Sequence, residues 1–117
     1  MRDKLKMSLL LDFYGGLLTE KQRDISELYY NGDYSLSEIA DDLRISRQGV
    51  RDSLVRAEAI LTELEEKIGF AGKYSEIANN NKLIKNTVLN ALEMQNADDI
   101  KASLRKILAI IDDESNV

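Results

Sequence analysis

The chain has 117 residues, 21 of them acidic and 16 basic, which gives a formal net charge of −5. It contains no Cys and no His, so it can form neither a disulfide framework nor a thiolate metal site, and it lacks the commonest general base. Hydrophobic residues make up 44% of the chain, too many for a disordered protein, and no apolar run reaches the roughly 18 residues of a membrane span. We therefore expect a soluble, cytoplasmic, all-α protein with no cofactor and no bound metal.

Two helices are predicted in the first third of the chain. Apolar residues recur every fourth position within residues 3–14, which predicts the first helix there. Thr19 and Gln22 have the spacing of a capping box, in which each side chain bonds the backbone N–H of the other residue. A second helix is therefore expected to begin after Thr19 and to end at the Asn31-Gly32-Asp33 run.

Residues 35–54 have the pattern of a helix-turn-helix motif. The first helix of the motif begins with a second capping box, Ser35 with Glu38. A turn of three residues, 44–46, follows that helix, and Ser46 is the expected N-cap of the next one. The remaining packing positions are filled by Ala40 where the helices approach closely, Ile39 and Leu43 beside it, Ile45 in the turn, and Val50 and Leu54 on the second helix.

Two positions depart from the usual form of this motif. Arg44 follows the first helix, where a left-handed backbone commonly favours Gly, so Arg44 is expected to bear strain unless the turn adjusts. Ser53 occupies a position that is often aliphatic in such motifs. A small rotation of the helix would bring the neighbouring Leu54 into its place.

The fourth helix is the most regular predicted element. It is expected over residues 47–68, where a heptad stripe lines one face, and Gly69 is expected to end it. Two interpretations of the stripe are open: packing against the C-terminal helices of the same chain, or self-association into the homodimer that we also predict. The stripe consists of Val50, Leu54, Ala57, Leu61, Leu64 and Ile68, and the opposite, polar face carries Arg51, Arg56, Glu58, Glu63, Glu65 and Glu66.

The C-terminal part of the chain is expected to add two more helices, over residues 74–95 and 98–112. The Asn79-Asn80-Asn81 run either interrupts the first of them or occupies exposed helical positions. We expect a helical domain over residues 1–69 that contains the motif. The C-terminal helices of residues 70–117 are expected to pack on this domain or to extend it, as one structural unit.

The start of the fourth helix is the candidate nucleic-acid interface, because a helix-turn-helix places the first turns of its second helix in the major groove. Arg reads guanine and Gln reads adenine through paired hydrogen bonds, while phosphate oxygens suit further Arg side chains and capped helix starts. The residues expected to face bases are Arg47, Gln48, Gly49, Arg51 and Asp52, and those expected to meet phosphates are Arg44, Arg56 and the helix starts at Ser35 and Ser46.

Structural explanations compete with this interpretation. The arginines from Arg44 to Arg56 form a narrow basic strip. The alternative explanation is that this strip is a solvated helix face whose arginines form ion pairs with Asp41, Asp42 and Asp52. Gly49 either lets a ligand approach the backbone closely or is a small residue tolerated in a surface turn. We expect no enzyme activity. The paired acids Asp41-Asp42, Asp98-Asp99 and Asp112-Asp113 are adjacent in sequence, so on a helix they diverge by about 100° and do not readily share a proton or a metal ion. No phosphate-cradling Gly loop is present either.

The motif is specific enough to indicate a family. Residues 18–68 resemble region 4 of bacterial sigma factors, and the whole chain is similar to the YlxM family of small helical proteins with a sigma-region-4-like fold. The resemblance is good up to about Ile68 and looser after it. The residues that carry it are Phe13-Tyr14, Leu18-Thr19, Lys21-Gln22, Tyr29-Tyr30, Asp33-Tyr34-Ser35-Leu36, Glu38-Ile39-Ala40 and Ser46-Arg47-Gln48 through Val50.

This resemblance implies a regulatory role in protein targeting, because YlxM proteins are encoded beside the signal recognition particle GTPase and its receptor. The first hypothesis is a nucleic-acid-binding regulator whose partner is DNA or structured RNA. The second is a protein-interaction module that acts on the targeting GTPase or its RNA complex, and the acidic balance of the chain motivates it. A continuous basic face around Arg47 would favour the first hypothesis, and an isolated strip flanked by acids would favour the second.

Overall fold

A computed structural model of the chain describes residues 3–115. Within that range the chain forms helices and no β-strand, so the all-α prediction is confirmed. The same residues contain no helix with the combined length and apolar character that a membrane crossing requires. The α-helices are α1 (Lys4–Tyr14), α2 (Glu20–Ser26), α3 (Leu36–Leu43), α4 (Arg47–Ile68), α5 (Phe70–Leu92) and α6 (Ala97–Ser115).

The chain divides into two compact units, Met1–Ala71 and Gly72–Val117. The first unit holds the hydrophobic core, and α4 is its central element, packed against α1, α2 and α3. Burial of large apolar side chains is the main favourable term in folding, at about 1.5–3 kcal/mol for each fully buried Leu, Ile or Met. The largest apolar side chains that are fully buried in this core are Met7, Leu10, Ile25, Ile39, Val50, Leu54 and Leu61.

The heptad stripe of α4 is buried over its first half. Every stripe position from Val50 to Leu61 has no exposed surface. Leu64 is half-buried and Ile68 is 44% exposed, so the burial of the stripe residues decreases toward the end of α4. Gly69 ends the helix as predicted, with a φ of 73°, which lies in the left-handed region that glycine adopts without steric cost.

The predicted capping boxes are both present. Thr19 Oγ1 accepts a hydrogen bond from the N–H of Gln22 at 3.2 Å, and Gln22 Oε1 accepts one from the N–H of Thr19 at 3.1 Å. Ser35 and Glu38 form the same reciprocal pair at the start of α3, with both distances at 3.1 Å. Each box satisfies N–H groups that the first turn of a helix leaves without an intrahelical partner, and it thereby fixes where the helix begins.

The second predicted helix is not regular to its end. Beyond α2, residues Glu27–Asn31 continue as a π-helix, in which the N–H of Gly32 donates to the carbonyl of Glu27 at 2.9 Å. The rings of Tyr29 and Tyr30 meet edge to face in this segment, with their centroids 5.1 Å apart. Apolar spacing over five residues does not distinguish a π turn from an α turn, so the pattern alone predicts a single α-helix.

A buried tyrosine joins α1 to the end of α4. The Tyr14 hydroxyl donates to Glu65 Oε1 at 2.6 Å and accepts a hydrogen bond from the N–H of Phe70 at 3.1 Å. The same Glu65 oxygen accepts the N–H of Ala71 at 3.0 Å, so the pair caps the first N–H groups of α5. Burial, followed by the hydrogen bond to Glu65, raises the pKa of Tyr14 above its usual value, which keeps the hydroxyl protonated as a donor.

The placement of Glu65 on the exposed face of α4 is wrong. Glu65 is half-buried and holds the contacts just described. The physical reason is helical geometry: residue 65 follows Leu61 by four positions, so the two side chains lie on the same face. A carboxylate is stable there because the Tyr14 hydroxyl and a backbone N–H satisfy it.

The second unit contains α6 and the greater part of α5. α5 continues without a break through Asn79-Asn80-Asn81, which are therefore helical positions. Lys73 and Glu76 of α5 line one shallow groove together with Asp113 and Glu114 of α6. The start of α5 thus lies beside the end of α6, and the two helices form an antiparallel hairpin. That residues 70–117 pack on the first domain stays a prediction.

Replacing Tyr14 with Phe should destabilise the first unit, because Glu65 and the N–H of Phe70 both lose a buried partner. We expect the Tm to fall by roughly 5–10 °C, the range for one or two lost hydrogen bonds in a chain of this size. Thermal unfolding followed by circular dichroism measures the change. Tyr34→Phe is the matched control, since its hydroxyl forms no hydrogen bond with the described residues; an equal shift in both variants would contradict the prediction.

Candidate nucleic-acid interface

The helix-turn-helix motif has the predicted form. α3 ends at Leu43, a turn follows, and Ser46 caps α4 by accepting the N–H of Gly49 at 2.9 Å. Arg44 has a φ of 55° and a ψ of 47°, so it takes the left-handed conformation that the sequence led us to expect. Its N–H donates to the carbonyl of Ala40, which ends α3 in the manner usual for a left-handed cap.

Packing fixes the direction in which α4 presents its first turns. Val50 and Leu54 have no exposed surface, and Ala40, the small residue of α3, is 5% exposed in the same core. Ser53 and Leu54 are both buried, so the polar residue at position 53 lies at the helix interface without displacing its neighbour. With these residues held inward, the opposite side of the first two turns faces solvent.

The four arginines of the strip are exposed and carry unpaired charge. Each of Arg44, Arg47, Arg51 and Arg56 is exposed, and within residues 3–115 no guanidinium group of the four forms an ion pair. The acids proposed as their partners, Asp41, Asp42 and Asp52, are themselves exposed. The guanidinium groups are therefore available to an anionic ligand without first breaking a salt bridge.

Gln48 and Asp52 contact each other rather than solvent alone. Gln48 Nε2 donates to Asp52 Oδ1 at 2.9 Å, one helical turn along α4. The predicted base-reading amide is thus already engaged, and its carbonyl oxygen remains open as an acceptor. Among the predicted site residues, Ser46 is likewise engaged, because its hydroxyl oxygen caps the helix.

Gly49 has a local explanation that does not require a ligand. A Cβ at this position would lie 3.1 Å from Ser46 Oγ, closer than ordinary van der Waals contact. The N-cap hydroxyl therefore favours the smallest residue here. Gly49 is only half-buried, so the backbone of the first turn is also accessible from outside.

A shallow open groove runs between the starts of α3 and α4. Its lining consists of Leu36 from α3 and Arg47, Gln48 and Arg51 from α4. Leu36 was not among the predicted site residues, although its position directly after the Ser35 cap could have identified it. The structure thus brings three predicted base-facing residues together in one concave surface, while Arg44 lies in the turn and Arg56 lies two to three turns along α4.

Acidic residues border this basic strip. Glu38, Asp41 and Asp42 are exposed on α3, and Asp52 shares the first turns of α4 with the arginines. The positive surface is therefore a strip rather than a broad face. A strip of this kind restricts phosphate contact to the start of α4, since neighbouring carboxylates repel a polyanion.

Comparison with known proteins identifies similar chains in several bacteria. Residues 1–104 match the family UPF0122, which is described as "Putative helix-turn-helix protein, YlxM / p13 like". The UPF0122 protein of Thermoanaerobacter sp. strain X514 is 46% identical over 111 residues, which cover 95% of each chain. That of Caldanaerobacter subterraneus is 54% identical over 86 residues, 74% of each chain. That of Halalkalibacterium halodurans is 39% identical over 113 residues, 96% of this chain and 94% of the relative.

Replacing Arg44 with Gly should stabilise the protein, because Gly adopts the left-handed conformation without the steric cost that a side chain incurs. We expect the free energy of unfolding to rise by about 1 kcal/mol, measured by urea denaturation. Arg44→Ala is the matched control, since Ala keeps the strained Cβ and removes the same charge. Equal stabilities of the two variants would show that the turn stores no strain.

Proposed function

We propose that this chain, which belongs to the UPF0122 family of YlxM/p13-like helix-turn-helix proteins, is a regulator that binds nucleic acid through the start of α4. The observation that carries the proposal is the set of exposed arginines, Arg47 and Arg51 above all, held outward by the buried Val50. Arg47 and Arg51 are one turn apart, which suits contact with two neighbouring groups on a groove edge.

Each residue of the interface has a proposed role. Arg47 and Arg51 read base edges, and Gln48 joins them once its amide leaves Asp52. Arg44 and Arg56 hold phosphates on either side, and the Ser46 cap fixes the start of α4, whose positive dipole end favours phosphate. Gly49 has no side chain, so it would not obstruct the approach of a ligand to the side chains that make contact.

The resemblance to sigma region 4 and to YlxM proteins supports a more specific role. It favours a cytoplasmic regulator of the signal recognition particle pathway whose ligand is duplex DNA or structured RNA. The motif supports duplex DNA on geometric grounds, because its second helix fits the major groove. A structured RNA is the alternative, since A-form helices present a different groove and are recognised mainly by shape and backbone.

Fluorescence anisotropy with labelled duplex DNA and with a structured RNA, across a series of salt concentrations, tests the proposal. Binding should weaken as salt rises, because phosphate contacts release counterions. Arg47→Ala with Arg51→Ala should weaken binding at least about tenfold, because the variant loses both proposed base contacts. Urea unfolding of the same variant shows whether its fold is intact.

The matched control removes two exposed positive charges from the second unit, as Lys82→Ala with Arg105→Ala. This variant has the same net charge as the first, so a loss that depends only on net charge would appear equally in both. Binding that shows no salt dependence, or that both double variants weaken equally, would contradict the proposal.

The acids that border the strip support a second candidate, a protein-interaction module that modulates the targeting GTPase or its RNA complex. Exposed Glu38, Asp41 and Asp42 beside the arginines would suit a protein surface of mixed charge. Absence of binding to either nucleic acid, together with recovery of the GTPase by affinity purification from the native host, would favour this candidate over the first.

A further inference from the structure

Asp52 brings a carboxylate into the first two turns of α4, among the exposed arginines. It is exposed, and its Oδ1 accepts the hydrogen bond from Gln48 Nε2 at 2.9 Å. Arg56 follows Asp52 by four residues, a spacing at which an acid and a base can pair on a helix. Within residues 3–115, however, neither of these two side chains forms an ion pair. The carboxylate is therefore not neutralised by an arginine, and the neutral amide that it holds can be replaced by another neutral donor.

The outward side chains of these turns form two parallel rows, because a helix repeats every 3.6 residues. Arg47 and Arg51 form one row, and Gln48 and Asp52 form the other, about 100° around the helix. Two residues of one row lie about 6 Å apart along the helix axis, whereas successive base pairs lie about 3.4 Å apart. Gln48 and Asp52 can therefore contact the same base pair or base pairs up to two steps apart.

A carboxylate discriminates among bases because it only accepts hydrogen bonds when it is ionised. In the major groove, cytosine presents the N4 amino donor, while guanine and thymine present acceptors to a side chain. Adenine presents a donor beside an acceptor, which matches the amide of Gln48. The chemistry of this row therefore matches Asp52 to cytosine and Gln48 to adenine. A C·G pair also suits the neighbouring Arg51, because its guanine presents the O6 and N7 acceptors.

We propose that Asp52 determines specificity by accepting a hydrogen bond from the N4 amino group of a cytosine when Gln48 binds an adenine. The inference rests on the proposed function, with duplex DNA as the ligand. The bond between Gln48 and Asp52 breaks, and bonds to the two bases replace it. Where the cytosine is absent, release of Gln48 leaves the carboxylate facing base acceptors or phosphates, which repel it.

The two bases are consequently recognised as a unit. When the adenine is present, loss of the cytosine removes one bond and also opposes the release of Gln48. When the adenine is absent, Gln48 and Asp52 stay bonded to each other, so loss of the cytosine has a smaller effect. The costs of changing the two base pairs are therefore not additive, which is the mark of two groups that share a partner.

Selection from a randomised duplex DNA library, followed by fluorescence anisotropy with individual duplexes, tests this assignment. The wild-type chain should enrich a C·G pair within two base pairs of an A·T pair. Replacing that C·G pair with T·A should weaken wild-type binding at least about tenfold and Asp52→Ala binding only a few-fold, because the variant lacks the carboxylate that recognises cytosine. The non-additivity of the two base changes should also disappear in Asp52→Ala.

Asp41→Ala is the matched control. Asp41 is an exposed acid beside the basic strip, and its side chain forms no hydrogen bond or ion pair with the described residues. Both variants remove one negative charge and should therefore bind DNA more tightly overall. Asp41→Ala should nevertheless keep the wild-type sequence preference and its non-additivity, since a purely electrostatic effect does not distinguish cytosine from thymine.

The possible failures of this experiment are distinguishable. A wild-type chain that binds no duplex DNA, or that binds only structured RNA, would overturn the proposed binding of duplex DNA and the role of Asp52 with it. A wild-type chain that selects a sequence without the cytosine would overturn the role of Asp52 alone. The same conclusion would follow if Asp52→Ala kept the wild-type preference, or if Asp41→Ala lost it to the same extent.

Discussion

The packing of one face of α4 against α1, α2 and α3 is the interaction on which the rest of the structure depends. Val50, Leu54, Ala57 and Leu61 are fully buried there, and together they contribute several kcal/mol of apolar burial. Because these residues fix the rotation of the helix about its axis, they also determine which side chains face outward. The core and the candidate interface are therefore two faces of one helix, and a change in packing at Val50 would redirect Arg47 and Arg51.

Local chemistry made the first unit predictable from its sequence. The reciprocal side-chain bonds at Thr19 and Ser35 depend only on residues three positions apart, so the residue types alone indicate them. The left-handed Arg44 was expected because the position directly after the first helix of the motif commonly takes a left-handed backbone. The family resemblance rests on these same short-range features.

Features that depend on distant or unusual contacts could not be predicted in this way. Glu65 looks like a surface residue until Tyr14, 51 positions earlier, supplies its partner. The π-helix at Glu27–Asn31 has no signature in apolar spacing. The candidate interface was only partly predicted for a related reason. The residue types at positions 47, 48 and 51 are visible in the sequence. The hydrogen bond between Gln48 and Asp52, and the place of Leu36 in the lining of the groove, depend on the folded surface.

Under the proposed function, the hydrogen bond between Gln48 and Asp52 would separate two stages of binding to a nucleic acid. The arginines can engage a backbone of any sequence at once, since no internal partner has to be released. The amide of Gln48, in contrast, must break its hydrogen bond with the Asp52 carboxylate before it can bond a base. Breaking it costs about 1 kcal/mol, which only hydrogen bonds to a matching base edge would offset. In the proposed function, discrimination would therefore follow attachment, and the protein would scan loosely held sites before it bound one of them specifically.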